Sequence, residues 1–155
     1  MNELPKRVLD CLQGKTLATA ESCTGGLIGA CLTAVPGSSA VYKGGVISYT
    51  NEIKTALLGV SEELLQEFGA VSAQVAEAMA LGAREKLCAD VAVSVTGLAG
   101  PGGDERGNPV GTVFIGYADE RGVRSLSCCF SGDRENVRLQ ATETALFLIL
   151  RQNNR

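Results

Sequence analysis

The 155-residue chain contains no histidine, and that absence removes whole mechanisms. A Ser-His-Asp triad is impossible, as is histidine ligation of a metal. Aromatic residues make up only 5%, too few for platforms that stack bases. With 14 basic residues against 17 acidic ones and a net charge of -3, no basic stripe exists for nucleic acid to follow. Among Cys11, Cys23, Cys31, Cys88, Cys128 and Cys129 there is no Cys-x-x-Cys pair, so the thiols read as reduced, mostly buried small hydrophobes. No apolar run approaches the ~18 residues of a membrane span. The opening Met1-Asn2-Glu3-Leu4-Pro5-Lys6 lacks the apolar core of a signal peptide. These absences together predict a cytoplasmic protein with neither a nucleic-acid nor a membrane partner.

What is present alternates between strand and helix patterns, which predicts an α/β fold in a single domain over residues 1–155. A helix is expected over Glu3 to Leu12, a strand over Thr16 to Ala20 and a helix from about Gly26 to Ala34. A glycine-interrupted strand region, Val41 to Tyr49, follows the turn at Pro36-Gly37-Ser38-Ser39. Asn51 is expected to cap a short helix carrying Lys54, Ser61 a second through Phe68, and Ser72 a long one to about Cys88. A buried strand, Asp90 to Thr96, then runs into a glycine-rich loop. Thr112 to Ala118 and Val123 to Phe130 read as a hairpin around Asp119-Glu120-Arg121-Gly122, and Asp133 as the cap of a last helix to about Leu150. The hairpin makes the sheet mixed. In such a sheet the ligand crevice lies at the carboxyl ends of the parallel strands, and both Ser22 and the loop from Gly97 leave such ends.

The stretch Ala20-Glu21-Ser22-Cys23-Thr24-Gly25-Gly26 reads as strand, sharp turn and helix with a serine held at the turn. Its glycines permit positive φ and close approach, and the amides of the next helix are expected to point toward whatever sits beside Ser22. With no histidine to activate it, such a serine needs a lysine, a tyrosine or a carboxylate; a desolvated lysine can serve. Ser48-Tyr49-Thr50-Asn51-Glu52-Ile53-Lys54 offers a tyrosine at a strand end and a lysine in the following helix. From spacing alone, the simpler reading is that Tyr49 packs and Lys54 is solvated. Gly97-Leu98-Ala99-Gly100-Pro101-Gly102-Gly103 suits a phosphate or carboxylate but matches no nucleotide-binding signature. It leads to what reads as an exposed, mobile tip, Asp104 to Asn108. Arg134 lies in a first helical turn, where the dipole disfavours a cation, which points to an anionic partner, either a protein carboxylate or a ligand phosphate. Arg138, one turn on, is either in the same role or solvated. Cys23 has no partner base and is read as structural.

Five segments in order carry a resemblance: Ala-Glu-Ser-Cys-Thr-Gly-Gly at 20–26, Tyr-Thr-Asn-Glu-Ile-Lys at 49–54, Gly-Leu-Ala-Gly-Pro-Gly-Gly at 97–103, Pro-Val-Gly-Thr-Val at 109–113 and Phe-Ser-Gly-Asp-Arg at 130–134. The chain resembles the CinA C-terminal domain family over about residues 5 to 150. Stand-alone members of that family are bacterial nicotinamide mononucleotide deamidases. The resemblance implies a three-layer α/β/α sandwich with a mixed, mostly parallel sheet. It implies hydrolysis of the carboxamide of nicotinamide mononucleotide to nicotinic acid mononucleotide and ammonia, in pyridine nucleotide salvage. Ser22 falls on the family's nucleophile, and Tyr49 and Lys54 on its partners. Around the substrate the resemblance places Glu21, Cys23, Thr24, Gly25, Gly26, Thr96, Gly97, Gly100, Thr112 and Arg134. No cofactor and no metal are implied. Larger members carry a further N-terminal domain similar to molybdopterin-binding proteins, which this sequence does not contain, so none of that domain's activity is expected. The fairly apolar composition, with a mean hydropathy of +0.14, makes a homo-oligomer the expectation. Two other readings stand beside this one: a non-catalytic nucleotide- or phosphate-binding partner module, and a serine amidase or esterase acting on a different substrate.

Overall fold

The computed structural model describes residues 3–153. Five strands, β1 (Leu17–Glu21), β2 (Tyr42–Ile47), β3 (Val91–Gly97), β4 (Thr112–Asp119) and β5 (Gly122–Cys129), form one sheet in the order β2-β1-β3-β4-β5. β1 pairs in parallel with β2 and β3, while β4 is antiparallel to both its neighbours. Four of the five strands therefore run in one direction, and the sheet is mixed and mostly parallel. Helices α1 (Leu4–Cys11), α2 (Leu27–Thr33) and α6 (Arg134–Asn153) cover one face; α3 (Asn51–Leu58), α4 (Glu62–Phe68) and α5 (Ala73–Lys86) cover the other. The result is the three-layer sandwich.

Strand periodicity sorts the core into two unlike halves. Leu17, Val91, Val93, Val95, Ile115 and Tyr117 pack against Val8, Ile28, Leu32, Leu146 and Ile149 of α1, α2 and α6. The alternate positions are small: Ala18, Ala20 and Ala92 face Val75, Met79 and Ala83 of α5. The Ser94 hydroxyl donates to the Ala76 carbonyl at 2.5 Å, and a Cβ built on Gly116 would collide with that same carbonyl. α5 thus rests almost on the backbone of the sheet, an approach only a residue without a side chain permits.

Most element ends follow local chemistry. Ser61 and Ser72 accept from Leu64 N and Val75 N at 3.1 and 3.2 Å, and Asp133 accepts from Asn136 N at 2.9 Å. The cap of α3 is Thr50, not Asn51: its hydroxyl accepts from Ile53 N at 3.4 Å, and Asn51 is the first helical residue. The tip at Asp104 to Asn108 is exposed, but it is tied down. Asp104 accepts from the amides of Arg106 and Asn108, and Arg106 reaches back to the carbonyls of Gln66 and Glu67 at the end of α4.

The chain leaves β1 toward α2 on one face, and returns from β2 through α3, α4 and α5 on the other to reach β3. This reversal makes the carboxyl ends of β1 and β3 the switch point of the sheet, where a crevice opens.

Candidate active site

A cavity of about 330 Å3 occupies that crevice, lined by Ser22, Cys23, Tyr49, Asn51, Lys54, Ala70, Val71, Thr96, the segment from Gly97 to Gly100, Gly102 and Arg134. Its size lies within the range of small-molecule sites. Ser22 sits immediately beyond β1, its amide donating to Val95 O of β3 at 2.9 Å, and is 7% exposed.

Strand alternation turns Ser22 and its neighbour Glu21 to opposite faces of the sheet. Ser22 faces the α3 layer. There Lys54, which shares the inner side of α3 with Leu58, is only 2% exposed. Its Nζ lies 3.1 Å from Ser22 Oγ and 2.9 Å from Ser48 O. No carboxylate is paired with it among the described residues. Burial lowers its pKa from 10.5 to about 8, outweighing the one opposing influence, from Cys23. A lysine that solvation rules would place in water is therefore held as the hydrogen-bond partner of a buried serine.

Glu21 faces α2 instead. Its carboxylate is buried and accepts from Thr24 Oγ1 at 2.6 Å, Gly26 N at 3.1 Å, Ile28 N at 3.0 Å and Gly29 N at 3.1 Å. The expectation that the amides of this helix point toward Ser22 is thus corrected: they are spent on Glu21. Glu21, Thr24, Gly25 and Gly26 do not line the cavity; they build the turn that presents Ser22. Gly25 and Gly26 take φ of 59° and 108° there, a conformation that favours glycine. Thr112 also lies outside the lining, its hydroxyl turned to Pro109 O at 2.7 Å. Within the turn, Gly25 N donates to Ser22 O and Leu27 N to Thr24 O, each at 3.1 Å. Among the described residues, this leaves the amides of Cys23 and Thr24 as the turn's unengaged donors.

Cys23 lines the cavity, and burial pushes its thiol up to about 11, so it stays protonated near neutral pH. Thr96 donates to Ala70 O at 2.7 Å, pinning the segment before α5 against the end of β3 and making Ala70 and Val71 a wall of the cavity. Gly97 allows β3 to pass close to β4, where a Cβ would press on Val113 and Thr112 O. At the mouth, Arg134 donates to Gly100 O at 2.6 Å and to Tyr49 Oη at 3.1 Å. No protein carboxylate pairs with it among the described residues, so of the two anionic partners expected for it, the protein one is absent. Tyr49 is 57% exposed and engages Arg134 rather than Ser22 or Lys54. Arg138 does not line the cavity and is partly buried: it donates to Cys23 O at 3.0 Å and Thr24 O at 3.2 Å.

Sequence reasoning missed Ala70, Val71, Leu98 and Ala99 as lining, because small or apolar residues in connections carry no chemical signal, and missed Asn51 because it read that residue as the cap of α3. It also gave no role to Glu21 as an acceptor. The two-residue period of β1, continued by one position, could have separated Glu21 from Ser22.

A family model described as the CinA C-terminal domain matches residues 1–153. The chain is 52% identical over 133 residues to a CinA-like protein of Geobacter metallireducens, covering 86% of this chain and 32% of that one. It spans about a third of the length of the curated relatives it matches. A crystal structure of a CinA superfamily protein from Klebsiella pneumoniae aligns with a TM-score of 0.96 at 35% identity, covering 99% of this chain and 97% of that one. The competence/damage inducible protein CihA from Agrobacterium tumefaciens aligns with a TM-score of 0.93 at 42% identity, covering 99% and 95%.

Proposed function

This chain belongs to the CinA C-terminal domain family, and we propose that it is an amide hydrolase that converts nicotinamide mononucleotide to nicotinic acid mononucleotide and ammonia through a Ser22 acyl-enzyme. One observation carries the reading: the 3.1 Å contact between Lys54 Nζ and Ser22 Oγ in a chain with no histidine. A serine needs a base to become a nucleophile. Lys54, with its pKa near 8, is neutral in about one molecule in ten at pH 7, far more than an ordinary lysine, and that neutral amine has a lone pair to offer.

As a neutral amine, Lys54 donates to the Ser48 carbonyl and accepts from the Ser22 hydroxyl. Ser22 Oγ attacks the carboxamide carbon as its proton passes to Nζ. The carbonyl oxygen becomes an oxyanion, for which the amides of Cys23 and Thr24 are the available donors. Lys54 then returns the proton to the leaving nitrogen, the C–N bond breaks, and ammonia departs. Water, deprotonated by the same amine, attacks the ester and releases the acid and Ser22. Ala70, Val71, Leu98 and Ala99 provide an apolar wall against the pyridine ring, and Arg134 supplies the cation at the mouth for the phosphate. Tyr49, bonded to Arg134, belongs to that recognition edge; a proton-relay role for it requires its hydroxyl to leave Arg134.

The test is ammonia release from nicotinamide mononucleotide by the purified protein in the presence of EDTA, with Ser22→Ala alongside. Release by the parent protein alone supports the reading. Tight binding of the nucleotide with no acid product indicates a binding module instead, and ammonia from another amide alone indicates a different substrate.

A further inference from the structure

The turn that carries Ser22 is gripped from two sides by ionic side chains that do not reach the cavity. From within the strand, the Glu21 carboxylate collects the Thr24 hydroxyl and the amides of Gly26, Ile28 and Gly29. From α6, Arg138 takes the carbonyls of Cys23 and Thr24. A trans peptide holds its C=O and N–H antiparallel. Fixing the Cys23 carbonyl on Arg138 therefore turns the Thr24 N–H away from α6. Fixing the Thr24 carbonyl likewise turns the Gly25 N–H back, where it donates to Ser22 O at 3.1 Å.

We propose that Glu21 and Arg138 are positioning residues that set the peptide planes of the Ser22 turn, holding the Ser22 hydroxyl at Lys54 and keeping the Cys23 and Thr24 amides free as oxyanion donors. The proposal rests on the serine chemistry above. Neither side chain lines the cavity. Arg138 satisfies carbonyls that would otherwise compete for the two free donors, and Glu21 holds the hydroxyl and amides whose release would let the turn rotate. A chain with φ of 59° and 108° at successive glycines has little intrinsic preference for one conformation, so the clamp must come from outside the turn. Arg138 suits this because its planar fork addresses the two carbonyls from separate nitrogens in a fixed geometry, where a lysine offers a single nitrogen on a flexible stem. Glu21 suits it because both carboxylate oxygens accept. In Glu21→Gln, with the amide oxygen kept in the more heavily bonded place, the NH2 group would face the Gly29 N–H.

The experiment compares the parent protein with Arg138→Met, Arg138→Lys, Glu21→Gln and Thr24→Val. Three readouts are taken: steady-state hydrolysis of nicotinamide mononucleotide, the rate at which a fluorophosphonate labels Ser22, and melting by circular dichroism. The expected result for Arg138→Met and Glu21→Gln is a fall of about 10–100-fold in both kcat and labelling rate, with KM within about threefold, as misorientation at a reacting centre predicts. Arg138→Lys and Thr24→Val, which keep part of the clamp and the side-chain volume, should fall between and remain folded. Variants that melt lower but label and turn over at the parent rate per folded molecule overturn the proposal, because a purely structural role gives that pattern. If the parent protein labels at Ser22 without hydrolysing the nucleotide, the substrate reading fails while the labelling comparison still decides the clamp. A parent protein that neither labels nor hydrolyses the nucleotide overturns both, and one that hydrolyses it without labelling leaves the kcat comparison to decide the clamp.

Discussion

Lys54 Nζ lies 3.1 Å from Ser22 Oγ across 32 residues of sequence, and this amine is the hydroxyl's hydrogen-bond partner at the heart of the cavity. The contact joins the end of β1 to the inner face of α3, and the chemistry assigned to the protein depends on the charge state of that amine.

In the proposed reaction the neutral form of Lys54 is the base, so activity should require its deprotonation. kcat/KM for nicotinamide mononucleotide is expected to rise with pH to a limb near 8 and level above it. Lys54→Arg keeps a cation that does not deprotonate and should lose at least about 10^3-fold, as should Ser22→Ala. A flat profile between pH 6 and 9 would sink the assignment of Lys54 as base.

The same buried amine should cost stability. Its folded pKa of about 8 lies below the unfolded value of 10.5. Between those values the unfolded chain binds more protons, so stability rises with pH across that window, and the full penalty is present below pH 8. Lys54→Met removes the charge but keeps the apolar stem. It should melt higher than the parent at pH 7, by an amount on the order of 1–3 kcal/mol, and the difference should shrink toward pH 10. Equal melting curves at both pH values would argue against a strained lysine.

Among the described residues Arg134 has neutral partners only, the Gly100 carbonyl and the Tyr49 hydroxyl, and so retains charge for an anion. Arg134→Ala should lower kcat/KM for nicotinamide mononucleotide roughly 10–100-fold, mainly through KM, the loss expected for one charge-assisted hydrogen bond. The dephosphorylated nucleoside should be hydrolysed equally by both proteins. A parallel loss on the nucleoside would place Arg134 at the reacting end instead.

Acid stability should depend on Asp119. Burial alone would raise its pKa, but hydrogen bonds from Arg124 and Arg121 outweigh this and hold it at about 2. The folded value is depressed, so this stabilisation is present above about 4 and is lost as pH falls toward 2. Asp119→Asn should remove on the order of 1–2 kcal/mol at pH 7 and flatten the acid limb of a melting-temperature profile. An unchanged limb would mean that other carboxylates dominate.

Much of the fold was legible because strands and helices obey short periods. Apolar runs at Thr16 to Ala20 and Asp90 to Thr96 marked the two central strands, and the Asp119 to Gly122 turn announced the antiparallel hairpin. Ser61, Ser72 and Asp133 declared their helix starts through side-chain oxygens. The candidate site was legible only in part. Spacing could not tell a solvated Lys54 from a buried one, since burial depends on where α3 lands after a crossing of the sheet. Nor could it pair Arg134 with Tyr49, or Arg138 with the Ser22 turn, because each of those contacts closes a loop of 85 residues or more.

By itself, the sequence determined the alternation of elements, the turn at Ser22 with its two glycines, and the exclusion of every histidine-dependent mechanism. These follow from local backbone preference and from composition, which act within a few residues. The tertiary structure alone decided the pKa of Lys54, the capture of the α2 amides by Glu21, and which carbonyls Arg138 holds. Desolvation and hydrogen bonding between distant segments have no sequence period; they exist only once the sheet has brought β1, α3 and α6 together.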